Sequence, residues 1–232
     1  LILTTIILIE LYKSLFEEAF SENHLIIFGS NIDREVESKN EIFNSLIIVN
    51  NKLDIVFQYN KTKLVPFGEF LPFENFLGNL GLKKITEGYG SFSKGANNSI
   101  FTLDNLKILP LICYEIIFPE LNQSPKNLIV NISEDAWFGD TIGPDQHFAK
   151  AIFRAIESNV YLARSANKGF SAFVDNKGIV KKVLKPNETG VIELNIPFIN
   201  NVKKKYRINL IFFVLLITCV FTFSVLRKNE KK

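Results

Sequence analysis

Apolar and polar positions alternate along this chain in short blocks, with one long apolar block near the end. Residues 24–29 (HLIIFG) and 45–50 (SLIIVN) are short apolar runs bounded by polar residues. Residues 54–59 (DIVFQY) form a third, joined to the second by a turn at 51–53. Runs of this length, rich in β-branched residues, predict buried strands. The pattern returns at 99–103, 107–113 (KILPLIC), 127–132, 161–165, 171–175 and 179–183, the last two joined at Asn176-Lys177-Gly178. Two segments carry helical spacing instead. Leu11, Leu15, Phe16 and Phe20 share one side over 11–20, and Phe148, Ile152, Phe153, Ala155 and Ile156 do so over 146–158. Residues 1–9 (LILTTIILI) are apolar and read as a strand or as the first turns of the helix that follows. Residues 62–98 are rich in Gly, Pro and aromatics and read as a long loop; loops of that length in a compact domain usually serve function. Strands with intervening helices predict an α/β layered domain.

The long block is INLIFFVLLITCVFTFSVL, residues 208–226, 19 positions without a charge. As a helix it extends about 28 Å at roughly 1.5 Å per residue, close to the hydrocarbon thickness of a bilayer. KKKYR at 203–207 and RKNEKK at 227–232 flank it, and Tyr206 and the basic residues suit the two interfaces. The pattern predicts one transmembrane helix. Each flank carries four Lys or Arg, so charge does not orient it. The expected organisation is a layered domain over 1–202, a basic juxtamembrane segment over 203–207, the membrane helix over 208–226 and a basic tail over 227–232.

Composition sharpens the picture in a few places. The 232 residues are 47% hydrophobic, enough for a substantial core and incompatible with disorder. The net charge of +3 misleads: from residue 203 onward there are eight Lys/Arg and one acid, leaving 19 − 23 = −4 for residues 1–202. A slightly acidic body argues against nucleic acid as a partner. Two cysteines 106 positions apart exclude a disulfide scaffold and a Cys-rich zinc site, and two histidines leave little for a metal centre. No Met occurs and the chain begins at Leu1, which reads as a piece of a longer protein, a processed form or an unusual start.

Three segments can carry chemistry. Cys113 closes the strand KILPLIC, where a nucleophile is rigidly held and accessible, although a lone Cys in a strand also serves as a small hydrophobe. Lys61 lies just past a predicted strand end, followed by the turn Pro66-Phe67-Gly68-Glu69. A lysine beside a thiolate stabilises it and the oxyanion formed on acylation; the alternatives are a solvated Lys61–Lys63 pair and a turn-capping Glu69. In NISEDAWFGDTIG, Trp137 and Phe138 either line an apolar pocket or cover the core. His147 on the next helix either pairs with Cys113 or packs locally.

Taken together, these segments resemble the apolipoprotein N-acyltransferases. The resemblance rests on Tyr59-Asn60-Lys61 with Leu64-Val65-Pro66-Phe67-Gly68-Glu69-Phe70, on Ile112-Cys113-Tyr114-Glu115, and on Asp135-Ala136-Trp137-Phe138-Gly139 with Ile142-Gly143-Pro144 and Gln146-His147-Phe148. Arg154-Ala155, Glu157, Arg164-Ser165, Asn167 and Gly169 fit the same pattern, so the likeness runs from about residue 24 to the terminal apolar helix. It implies a nitrilase-like α/β/β/α sandwich, of the carbon-nitrogen hydrolase superfamily, lying on membrane helices. It implies Cys113 as nucleophile, Lys61 stabilising thiolate and oxyanion, Glu69 as a supporting carboxylate, and Tyr114, Glu115, Trp137 and Phe138 around the substrate. The implied partners are a phospholipid acyl donor, a diacylated apolipoprotein acceptor and the membrane, with no metal and no cofactor. The implied place is the bacterial inner membrane with the catalytic domain on the periplasmic side.

The same pattern places a general-base Glu, within a Trp-Pro-Glu string, upstream of Leu1. Glu10 follows an apolar run and only imitates such a strand-end Glu, since it lies 19 positions before Gly29 with a helix to fit between. The sequence also departs from the pattern at Glu134, Asp145 and Lys168, where Asn, an aromatic and Asn are expected. Two readings follow. Either the chain is the C-terminal portion of a working acyltransferase whose N-terminal half lies elsewhere, or it is an inactive remnant or non-catalytic membrane-anchored module. Without that Glu the stretch alone is expected to be inactive.

Overall fold

The computed structural model describes residues 12–36, 39–73, 91–96, 99–122, 124–197 and 208–229. The chain divides into two compact units, Leu1–Asn201 and Val202–Lys232. The segment 1–9, Glu10, residues 74–90 of the long loop, and the basic stretch 203–207 lie outside the described residues. Residues 12–19 are helical, within the segment whose spacing predicts it.

The first unit holds two sheets. Strands β1 (Ile26–Val36), β2 (Lys39–Val49) and β3 (Ile55–Asn60) form an antiparallel sheet in that order. Strands β4 (Phe101–Leu103), β5 (Leu106–Ile112), β6 (Leu128–Glu134), β7 (Tyr161–Asn167), β8 (Ser171–Val174) and β9 (Val180–Leu184) form a six-stranded sheet, also in sequence order. Its three central strands, β5, β6 and β7, run parallel, and antiparallel neighbours close both flanks. Parallel strands need crossovers, supplied here by short 3-10 turns after β5 and by helix α1 (Gly143–Ser158) after β6.

Apolar alternation explains the layering. Ile108 and Ile112 of β5 and Val130 of β6 pack against Leu46, Ile48 and Tyr59 of the smaller sheet. Leu109 and Leu111 of β5, Ile129 of β6 and Leu162 of β7 face Phe148, Ala151 and Ala155 of α1. Strand β5 is thus buried on both faces, which is why it reads as a continuous apolar run. The sheets approach closely at Gly29, where an added Cβ would lie 3.1 Å from Ile132 Cδ1. These layers fit the α/β layered domain that the sequence pattern predicts.

Two boundaries differ from the sequence pattern for identifiable reasons. Strands β1 and β2 extend through the polar stretch 30–44 and remain paired to Val36↔Lys39, because ladder hydrogen bonds are made by backbone and need no apolar side chains. Helix α1 starts at Gly143, three residues earlier than its apolar spacing suggests, because Pro144 suits the first helical turn.

In the second unit, Ile208–Asn229 forms helix α2. The apolar side chains described between Phe212 and Phe223 are exposed. That run covers about 18 Å of axis, and among the described residues no helix is long and apolar enough to cross a membrane. The expected span over 208–226 therefore rests on the sequence.

Candidate active site

Strand β5 ends at Ile112, one residue before the sequence-based limit, because Cys113 leaves the extended conformation. Its φ is +50°, in the left-handed region that a residue with a Cβ rarely adopts, and it opens the 3-10 turn Cys113–Ile117. The thiol is unpaired in any disulfide and partly exposed. Glu115, fully buried, folds back beneath this turn and accepts the Ile112 N–H at Oε2, 2.9 Å. This is the reciprocal half of a capping box.

The other oxygen of Glu115 reaches the segment after β3. Oε1 accepts from the Tyr59 hydroxyl (2.9 Å), the Thr62 N–H (2.7 Å), the Thr62 hydroxyl (2.9 Å) and the Lys63 N–H (3.0 Å). Burial, and then the Glu115 carboxylate, push the Tyr59 phenol far above its ordinary value and keep it a neutral donor. One carboxylate therefore ties the Cys113 turn to the segment that carries Lys61. The structure places Glu115 under the turn, where its acceptor capacity goes to protein donors.

Lys61 is buried, and its Nζ lies 2.8 Å from both oxygens of Glu69. Glu69 also accepts from Asn44 Nδ2 and from the Val65 N–H, each at 2.8 Å. Backbone bonds from Glu69 N–H to the Val65 carbonyl and from Phe67 N–H to the Phe70 carbonyl close the loop. Phe67, with φ +62°, stands 45% exposed at its tip. An added Cβ on Gly68 would lie 3.7 Å from Trp137 Cζ3, so Trp137 covers this loop while remaining more than half exposed.

The loop after β6 brings a third group of side chains. Asp135 is fully buried and accepts from Ser133 Oγ at 2.6 Å and from Arg164 NH2 at 2.7 Å. His147 Nδ1 lies 2.9 Å from Asp135 Oδ1 and 3.2 Å from Arg164 NH2, while Nε2 lies 3.2 Å from the Cys113 carbonyl oxygen. Arg164 also donates to Asn131, whose Nδ2 donates to the Leu111 carbonyl. Burial would raise the Asp135 carboxyl. The His147 hydrogen bond, the Arg164 charge and the Ser133 hydroxyl outweigh it and hold the carboxyl at about 2. Burial pulls the Arg164 guanidinium below its ordinary value, and Asp135 opposes that. Phe138 stacks edge-on against His147, and Tyr114 packs edge-on against Phe118.

A family model for the carbon-nitrogen hydrolases matches residues 6–201. The chain belongs to the carbon-nitrogen hydrolase family.

Curated relatives of this carbon-nitrogen hydrolase include the apolipoprotein N-acyltransferase of Rhizobium rhizogenes, 46% identical over 157 residues, covering 65% of this chain and 29% of that protein. The Brucella melitensis protein of the same name is 38% identical over 186 residues, covering 78% of this chain and 35% of its own length. The chain thus spans about a third of the length of the curated relatives it matches. Among solved structures, the amidase from Nesterenkonia sp. AN1 superposes with a TM-score of 0.53 at 15% identity, over 77% of this chain and 65% of that one. This likeness concerns the fold.

Within the carbon-nitrogen hydrolase domain, the sequence-based candidates Cys113, Lys61, Glu69, Tyr114, Glu115, Trp137 and Phe138 fall on three adjoining loops. His147 contacts the backbone carbonyl of Cys113. Asn44, Asp135 and the pairing of Arg164 with it escaped the sequence reading. The available sign was a charge just past β6 and another in the middle of its neighbour β7.

Proposed function

We propose that the chain carries the nucleophile and lysine of an apolipoprotein N-acyltransferase. The observation that carries this reading is Glu115, which joins a left-handed, partly exposed Cys113 to the segment holding the buried Lys61–Glu69 pair. The names of relatives at 38–46% identity agree with it. Cys113 thiolate attacks the acyl carbonyl of a membrane phospholipid. The ester C–O bond breaks, and the proton given up by the Cys113 thiol leaves on the lysophospholipid oxygen. The α-amine of a diacylglyceryl-cysteine then attacks the thioester, the C–S bond breaks, an amide forms, and the proton lost by the amine returns the Cys113 sulfur to the thiol. A thioester divides a difficult ester-to-amide transfer into two easier steps. Lys61, fixed by Glu69, stabilises the thiolate and the tetrahedral oxyanion. Tyr114, Trp137 and Phe138 border the acyl chain, and Glu115 sets the turn beneath them.

Residues 208–226 form the membrane anchor in this reading. The hydroxyls of Thr218 and Thr222 bond back to the Val214 and Thr218 carbonyls, which satisfies them within the helix as an apolar surrounding demands. The enzyme then sits in the bacterial inner membrane with its catalytic domain on the periplasmic side, where it matures lipoproteins. The test uses the native protein in its own membranes, supplied with phospholipid bearing a tagged acyl chain. A hydroxylamine-sensitive tag on the Cys113 peptide is expected, and Cys113→Ala removes it without unfolding the protein. A tag that persists in Cys113→Ala refutes the nucleophile. Absence of a tag on the native protein leaves the non-catalytic module.

A further inference from the structure

His147 is buried directly behind Cys113, yet the acyl transfer gives it no part. A carbonyl oxygen and a carboxylate oxygen both only accept, so the ring donates at both ends, from Nε2 to Cys113 O and from Nδ1 to Asp135 Oδ1. The other side of the ring faces the Asp135 carboxylate and the Arg164 guanidinium, and the Phe138 ring packs across it. Asp135 is in turn fixed by Ser133 and Arg164, and Arg164 by Asn131. The network reaches the backbone once on strand β5 and once just past its end, for Asn131 grips the Leu111 carbonyl and His147 the Cys113 carbonyl. It therefore clamps the backbone on either side of Ile112, at the point where the chain turns into the left-handed conformation.

We infer that His147, oriented by Asp135, is a positioning residue that holds Cys113 in its left-handed backbone conformation and so aims the thiol. This rests on the reading of Cys113 as nucleophile. The left-handed conformation is disfavoured for a residue with a Cβ by roughly tenfold in population. Remove the donor at Cys113 O and the backbone relaxes toward negative φ, carrying Sγ with it. The imidazole acts through a backbone carbonyl.

The test is the rate at which iodoacetamide alkylates Cys113 in the full native protein, read by peptide mass so that Cys219 is scored separately. His147→Gln keeps an N–H able to reach the carbonyl and is expected to stay within about threefold of wild type. His147→Phe fills the ring volume against Phe138 but cannot donate, and is expected to lose about tenfold. A purely packing role predicts the reverse order, and either a fast Phe variant or a slow Gln variant overturns the inference. Should the Phe protein fail to fold, His147→Asn replaces it: polar, but one methylene too short for the carbonyl, and expected to be slow. If wild-type Cys113 reacts no faster than in the urea-unfolded chain, the nucleophile assignment itself fails.

Discussion

Replacing Glu115 with Gln preserves the size and shape of a fully buried side chain and changes only what it can accept. The amide oxygen can occupy the Oε1 position and keep the Tyr59, Thr62 and Lys63 donors. The NH2 group must then face the Ile112 N–H, donor against donor, where Oε2 accepts it in the native protein. An orphaned buried N–H costs about 1–3 kcal/mol. The remaining bonds lose charge assistance, roughly 1 kcal/mol each, but the protein no longer buries an ionised carboxylate, which returns several kcal/mol. Those last two contributions nearly cancel, and a net loss of about 2 kcal/mol remains. Because the conflict falls at Ile112, next to the thiol, alkylation of Cys113 should slow as well. Urea unfolding of the detergent-solubilised protein measures the first effect and iodoacetamide labelling the second. Tyr59→Phe is the control: it removes a single donor, costs about 1 kcal/mol and leaves labelling unchanged. A Glu115→Gln protein within about 0.5 kcal/mol of wild type, with unchanged labelling, would refute the idea that this carboxylate joins the two segments.

Three further outcomes are expected. A Cβ at Gly169 would overlap Asp135 Oδ2, so Gly169→Ala should push that carboxylate off Arg164 and cost about 2 kcal/mol, seen as a lowered melting temperature; an unchanged one would contradict the close approach. Asp135, held at about 2 against an ordinary 3.8, contributes stability that is fully present above pH 4 and is lost as pH falls toward 2. Urea midpoints at pH 5.5 and 3 should show part of this loss, about 1 kcal/mol, and Asp135→Asn should lack it; equal losses in both proteins would remove Asp135 from the account. Serine at Phe67, Phe70 and Phe73, of which Phe67 and Phe73 are exposed, should reduce acyl transfer from phospholipid more than from a soluble thioester donor, and equal reductions would show that these rings do not meet lipid.

The elements legible in the sequence were those whose burial leaves a mark on residue type. Strand β5 lies between two apolar layers and shows five consecutive apolar residues in ILPLI, whereas the far half of the β1–β2 hairpin is mostly polar in sequence and is revealed by its backbone pairing. Cys113, Lys61 and Glu69 stood out because a thiol, an amine and a carboxylate bordered turn residues. The Asp135–Arg164 pair did not, because a single charge in or beside a strand looks the same whether solvated or buried, and only the parallel pairing of β6 and β7 brings mid-strand Arg164 within reach of the residue that follows β6. The left-handed backbone of Cys113 carries no compositional sign, since cysteine has no preference for it.

The spacing of these contacts along the chain sets an order of assembly. Lys61 and Glu69 are eight positions apart and meet within a single loop, whereas Tyr59 and Glu115 are 56 apart. Closing the longer loop costs about 2 kcal/mol more in chain entropy. His147 and Arg164 lie 34 and 29 positions beyond the residues they hold, so the surroundings of Cys113 are completed only once β7 has joined the sheet. As the polypeptide is synthesised, the lysine–carboxylate pair can therefore form first and the thiol acquires its geometry last. Until then Cys113 behaves as an ordinary cysteine, without the left-handed turn that sets it apart in the finished fold.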